Sequence, residues 1–133
     1  MLDWSRRILL SAMIALAACT TAPPAFDLTS TEWRRSDDAN ASPHFPTLAF
    51  TDRGASGFAG CNRWFSSVTR DDHALDFGNV GMTRMACQAE SQAATERSFA
   101  AVLERTRGWR VEGEELVLLD EAGAQLARFV RND

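Results

Sequence analysis

Two cysteines and a handful of polar residues hold whatever covalent chemistry the body of this chain could do. Cys61 stands in Gly60-Cys61-Asn62, and Cys87 ends the run Thr83-Arg84-Met85-Ala86-Cys87. If the chain folds in an oxidising compartment, an even pair inside a small domain is most simply a disulfide. Two separately buried free thiols are the alternative, since cysteine is a good small core residue. A sharper reading makes Cys61 a nucleophile with His44 or His73 as its base. Both histidines sit beside turn residues, Pro43 in one case and Asp71-Asp72 in the other, and neither spacing defines a dyad. A metal at Asp71-Asp72-His73 is weaker still: adjacent turn residues do not all face one ion, and the two cysteines lack zinc spacing. Gly54, Gly57 and Gly60 recur at a fixed interval without the Gly-Lys-Ser/Thr and following helix of a phosphate loop. They fit bulges or sharp bends in a curved sheet. The expectation is therefore no catalytic residue, no cofactor and no metal, with Cys61 and Cys87 bonded to each other.

The third cysteine has a different context. Arg6-Arg7 precedes the apolar run from Ile8 to Ala18, which ends at Cys19 and then Thr20-Thr21-Ala22-Pro23-Pro24. A basic start, an apolar run and small residues before a break are the marks of a secretory signal. As a helix the run spans roughly 16 Å, about half of a hydrocarbon core of roughly 30 Å, so a permanent membrane span is a poor reading. A buried helix of the domain fits no better, because the run has no polar face and stops at prolines. Leu16-Ala17-Ala18-Cys19 resembles the lipobox of bacterial lipoproteins. That resemblance implies lipid, palmitate-type acyl chains, on Cys19 and removal of residues 1–18. Several acyl chains on one residue anchor stably, at about 0.8 kcal/mol per buried methylene. Thr20 in place of aspartate after the cysteine favours, by the same resemblance, sorting to the outer membrane. Ser5-Arg6-Arg7-Ile8-Leu9-Leu10 also looks like a twin-arginine motif, against the plainer reading of two basic residues in a general secretory signal. Asn40-Ala41-Ser42 matches a glycosylation sequon, which a bacterial signal makes irrelevant.

The elements that must position these residues are short. The chain has 133 residues and a formal net charge of −4, and loss of Arg6, Arg7 and Asp3 with the signal makes it one unit more negative. The remainder is one small domain behind a tether at residues 19–28, whose nine residues after Cys19 reach about 30 Å when extended. A mildly acidic surface argues against nucleic acid as partner. Short apolar stretches broken by turn residues predict antiparallel strands: one opened by Trp33, then Thr47–Phe50, Ser56–Ala59, Arg63–Thr69, Ala74–Phe77, Val80–Met85, and a hairpin of Leu116–Leu119 with Gln125–Val130. Between Ser91 and Arg107, Phe99, Val102 and Leu103 fall at helical spacing, and Gly108 reads as the stop. Trp64, Phe65 and Trp109 are core candidates first and ligand-lining second. The fold class is α+β: a curved antiparallel sheet, a partial barrel of about seven or eight short strands, with one packed helix.

Gly57-Phe58-Ala59-Gly60-Cys61-Asn62-Arg63-Trp64-Phe65, Gly81-Met82-Thr83-Arg84-Met85-Ala86-Cys87 and Leu116-Val117-Leu118-Leu119-Asp120 resemble, in order and spacing and with Trp33 ahead of them, the META domain, also called the HslJ-like domain. The resemblance covers roughly residues 28–131, with the domain itself at 29–133. Ser66-Ser67 depart from the glycine-containing turn often seen there. The family resemblance implies a partial antiparallel barrel around a helix, an envelope lipoprotein and a heat-shock or stress setting, and no reaction.

Three functions compete. The first is a non-enzymatic envelope module that binds or stabilises a protein partner near the membrane. The second is an outer-membrane assembly pilot or chaperone that shields an apolar ligand in a half-open barrel. The third, least favoured, is a thiol-dependent enzyme. The anchor is tested directly: a Cys19→Ser chain is expected to appear as an uncleaved or soluble species absent from membrane fractions. Membrane attachment of a processed, unlipidated Cys19→Ser protein would overturn the lipobox reading.

Overall fold

The computed structural model describes residues 18–22 and 25–133. The signal segment through Ala17 lies outside the described residues, as do Pro23 and Pro24. Among the described residues no helix is long and apolar enough to cross a membrane.

Alternation of inward and outward side chains sets most strands. β1 (Glu32–Arg35) buries Trp33 and Arg35, and β2 (Thr47–Phe50) buries Leu48 and Phe50. β3 (Gly54–Phe58) and β4 (Arg63–Arg70) continue the pattern with Ala55, Trp64 and Ser66. β5 (Leu75–Phe77) and β6 (Gly81–Met82) precede the helix α1 (Glu90–Arg105). β7 (Gly108–Glu112), β8 (Glu115–Leu119) and β9 (Gln125–Arg131) follow it. All nine strands form one antiparallel sheet in the order β5-β4-β3-β2-β1-β9-β8-β7, with β6 beside the start of β4.

The two ends of that order meet. Ala74 bridges to Gly108, Leu75 N–H donates to the Arg107 carbonyl (3.1 Å), and Trp109 N–H donates to the His73 carbonyl (3.0 Å). The turn feeding this seam is fixed by Asp71, whose carboxylate accepts the Ala74 and His73 N–H groups at 2.7 and 2.9 Å. Those two bonds hold the Asp71 carboxyl below the usual carboxylate range. Its carbonyl accepts the Trp109 indole N–H at 3.2 Å. The sheet is thus a nearly closed barrel, and the α+β partial barrel expected from sequence is the observed fold.

α1 fills it. Phe99 and Leu103 are fully buried, with Thr95 and Val102 beside them. The Phe99 ring meets Trp64 at 5.7 Å and Phe129 at 6.3 Å, both near edge-on, a favoured arrangement for aromatic pairs. Trp33, Leu48, Leu75, Leu116 and Leu118 complete the interior. Gln92 caps the helix start by accepting the Gln88 and Ala89 N–H groups (3.1 and 3.3 Å). Buried Arg35, held by Asp37 just beyond β1 (2.9 Å), ties that strand to the helix through Ser98 (3.3 Å).

Several expectations are corrected. Thr106 ends the helix, its N–H and hydroxyl both donating to the Val102 carbonyl; Gly108 instead opens β7, a strand the sequence reading missed. The strand expected over Val80–Met85 is only Gly81–Met82: Thr83 N–H still donates to the Arg63 carbonyl, and beyond it the Asn62 side chain takes up the backbone of Met85. Gly54 and Gly57 sit in an unbroken β3–β4 register and form no bulge. The expected tether at 19–28 is too long: Leu28 is a core residue, and Phe26 lies against Trp33 and Trp109 at 6.2 and 6.3 Å. Leu28, buried in the core, gains more by packing than by staying extended.

Phe99→Ala removes the ring that Trp64 and Phe129 close upon and leaves a cavity, at a cost of about 3–5 kcal/mol. A small domain holds only about 5–15 kcal/mol in total, so thermal unfolding followed by circular dichroism should show a large drop in Tm or no cooperative transition. A Tm within a few degrees of wild type would contradict the packing.

Candidate functional site

The sharpest concentration of polar side chains lies where the β3–β4 turn, the loop after β6 and the start of α1 converge. The turn needs glycine at position 60, where φ is +114° and a Cβ would press on Thr95 of the helix. It presents Asn62, a buried side chain with every donor and acceptor engaged. Asn62 Oδ1 accepts the Met85 N–H (2.7 Å) and the Thr83 hydroxyl (3.1 Å). Its Nδ2 donates to the Met85 carbonyl (3.1 Å) and to Glu96 Oε1 (3.0 Å). Its backbone N–H donates to Glu96 Oε2 at 2.6 Å. Thr83 then accepts the Arg63 N–H at 3.0 Å. One side chain therefore staples turn, loop and helix together, and its bonds to Met85 explain why the chain leaves the sheet after Thr83.

Cys61 and Cys87 sit on either side of this hub. The structure joins their sulfur atoms, with Cα atoms 5.6 Å apart. Glu96 stands beside them: its carboxylate and the two sulfurs lie within 4.8 Å of one another, all half-buried. Neither histidine belongs to that group. His44 is exposed ahead of β2, and exposed His73 is in the β4–β5 turn at the seam, so the structure assembles no cysteine–histidine dyad from the described residues. Asp71-Asp72-His73 serves the turn, through the two N–H bonds that Asp71 accepts.

Beside the hub run two connected surface grooves. One, of about 550 Å³, is lined by Asn62, Met82, Arg84, Met85 and Glu96. The other, of about 720 Å³, runs between β5–β6 and the outer face of α1, lined by Phe77, Val80, Met82, Ala100, Glu104 and Arg107. Phe65 is 60 % exposed and Met85 68 % exposed, with Val80 also in solvent. Phe65 was expected in the core; the alternation of β4 that buries Trp64 turns it outward, onto Gly81, whose missing side chain leaves room for the ring.

The sequence model of one protein family, described as META domain, matches residues 26–133. The chain belongs to the META domain family. Its META domain starts where the structure starts to pack, at Phe26. Among solved structures, it is similar to a protein from Burkholderia xenovorans determined by NMR, at 28 % identity and a TM-score of 0.60, over 84 % of this chain and 92 % of that one. A second NMR structure shares the fold at 16 % identity and a TM-score of 0.59, over 77 % of this chain and 89 % of that one. No curated protein matches the chain.

Cys61 and Cys87 of the META domain are thus brought together, while Cys19 stands apart and exposed. Sequence reasoning missed Asn62 and Glu96. Asn62 was visible only as part of a turn, and Glu96 only as a charge on the polar side of an amphipathic helix. Closing a loop of this size by a disulfide is worth about 3.5 kcal/mol in loop-closure entropy. Cys61→Ala and Cys87→Ala are each expected to lower urea stability by that order, and the double variant by little more, since either change removes the same bond. Alkylation of both thiols in unfolded, unreduced protein, or fully additive losses, would exclude the cross-link.

Proposed function

We propose that this META domain is the binding module of a bacterial envelope lipoprotein, held close to the membrane surface by lipid on Cys19 and cross-linked between Cys61 and Cys87, and that it engages a protein partner and catalyses no reaction. The lipobox-like Leu16-Ala17-Ala18-Cys19 supports the anchor, and Thr20 in place of aspartate after Cys19 supports the outer membrane, facing the periplasm. The stress setting implied by the family belongs to the same reading.

The observation that carries the binding role is the pair of grooves with exposed Val80 and Met85 in their walls, and exposed Phe65 on the outer face of the neighbouring strand, over Gly81. Grooves with large apolar side chains left in solvent are a common form of interaction site. Their position supports a partner away from the anchor. The segment leading from Cys19 joins the domain at the far end of β4, where Arg70 pairs with Asp27 and Thr29. Phe65 and the Met85 loop lie at the near end of the same strand, a separation of roughly 15–20 Å along β4. The pilot reading, with an apolar ligand inside the barrel, has less support, because Phe99, Trp33, Trp64 and Phe129 occupy the interior.

Photoreactive residues placed at Phe65 and at Met85 in cells should yield the same adduct, stronger after heat stress, while one placed at exposed Arg53 yields none. Loss of that adduct in a Val80→Glu background would tie it to the patch. Equal labelling from Arg53, or no adduct from either patch position, would overturn the reading.

A further inference from the structure

We propose that reduction of the Cys61–Cys87 bond converts this corner of the domain into a site for a zinc-type divalent cation, with the two thiolates and the Glu96 carboxylate as ligands. The inference is independent of the anchor and of the protein partner. Among the described residues, Cys61, Cys87 and Glu96 are the one group of three such side chains whose ligand atoms lie within 4.8 Å of one another. Tetrahedral zinc, with Zn–S of about 2.3 Å and Zn–O of about 2.0–2.2 Å, sets its ligands about 3.5–3.8 Å apart. The carboxylate must therefore close by at most about 1.2 Å, and the sulfurs must part.

The site survives opening of the bond because other contacts hold its three segments. Asn62 ties the Cys61 turn to the Cys87 loop through Met85 N–H, the Met85 carbonyl and Thr83. It ties the same turn to α1 through both oxygens of Glu96. Each thiol is thus kept near its partner without the S–S bond. The same two bonds orient the carboxylate and leave each oxygen a lone pair for a cation, which is the outer-shell support that metal-ligating carboxylates have. Asn62 is a positioning residue here. Three protein ligands on a half-buried surface leave the fourth position to water. The chain spacing of the two cysteines conceals the site, because its third ligand comes from the helix.

The chemistry balances. A dithiol reductant gives two electrons and two protons, the Cys61–Cys87 bond becomes two thiols, and the reductant becomes a disulfide. Cation binding then releases the two thiol protons to solvent. In the bonded state the sulfurs carry no charge and the site is closed, so redox state gates the cation.

The full chain carrying Cys19→Ser, reduced with a phosphine without oxygen, is titrated with Co²⁺ and then Zn²⁺, with circular dichroism recorded throughout. The expected result is one Co²⁺ per chain with thiolate-to-cobalt charge transfer, displacement by Zn²⁺, and no band in the oxidised protein. Glu96→Gln, which keeps one of the two acceptors that Asn62 uses and removes the charge, should weaken Zn²⁺ at least about tenfold. The proposal is overturned by a reduced chain with no charge-transfer band, by unchanged affinity in Glu96→Gln, by binding to the oxidised chain, or by one metal per two chains. If reduction unfolds the chain, Zn²⁺ must restore the native dichroism in the parent and not in Cys87→Ser; failure to do so also overturns it.

Discussion

The fold depends on the insertion of Phe99 between Trp64 and Phe129. Strands of two to eight residues, bent into a barrel, enclose more apolar wall than they fill with their own side chains. α1 supplies the missing volume. Its buried stripe of Thr95, Phe99, Val102 and Leu103 meets β4 on one side and β9 on the other. Strands far apart in sequence are thereby referred to one ring, and the seam between β5 and β7 closes where the helix hands the chain to β7.

Asn62 does for the surface what Phe99 does for the interior. A buried amide left half-paired would cost on the order of 1–3 kcal/mol per missing partner, and here none is missing. Full satisfaction fixes the turn, the Thr83–Cys87 loop and Glu96 in one arrangement, which is what places two sulfurs and a carboxylate together. The exposed Met85 and the groove beside it are shaped by the same bonds, since Met85 is held through its backbone and its side chain is left to solvent.

Much of this was legible in the residues, and the failures have physical causes. Short apolar stretches between turn residues announced β1 to β5, and Asp120 to Gly123 announced the β8–β9 hairpin, where Gly123 has φ of +78°. Helical spacing of Phe99, Val102 and Leu103 announced the plug. β7 was hidden because Gly108 looks like a helix stop, while the real stop is Thr106, bonded back to Val102. Phe65 was misjudged because an aromatic pair reads as core, although adjacent strand residues must face opposite ways. The Asn62–Glu96 contact has no local signature at all: it joins a turn to a helix far along the chain, and only the packing of the helix against the sheet brings them together.

Closure at Ala74 and Gly108 has a further consequence, for the behaviour of many copies crowded together. An open sheet in the order found here would end in β5 and β7, each offering unpaired N–H and C=O groups to a neighbour. The seam bonds at Ala74, Leu75 and Trp109 tie the start of β5 to the start of β7 and so interrupt that margin, and β6 beside it is two residues long. Edge-to-edge stacking into fibrils needs a longer template than that. Closure therefore shortens the edge that copies of the domain can offer one another on one surface.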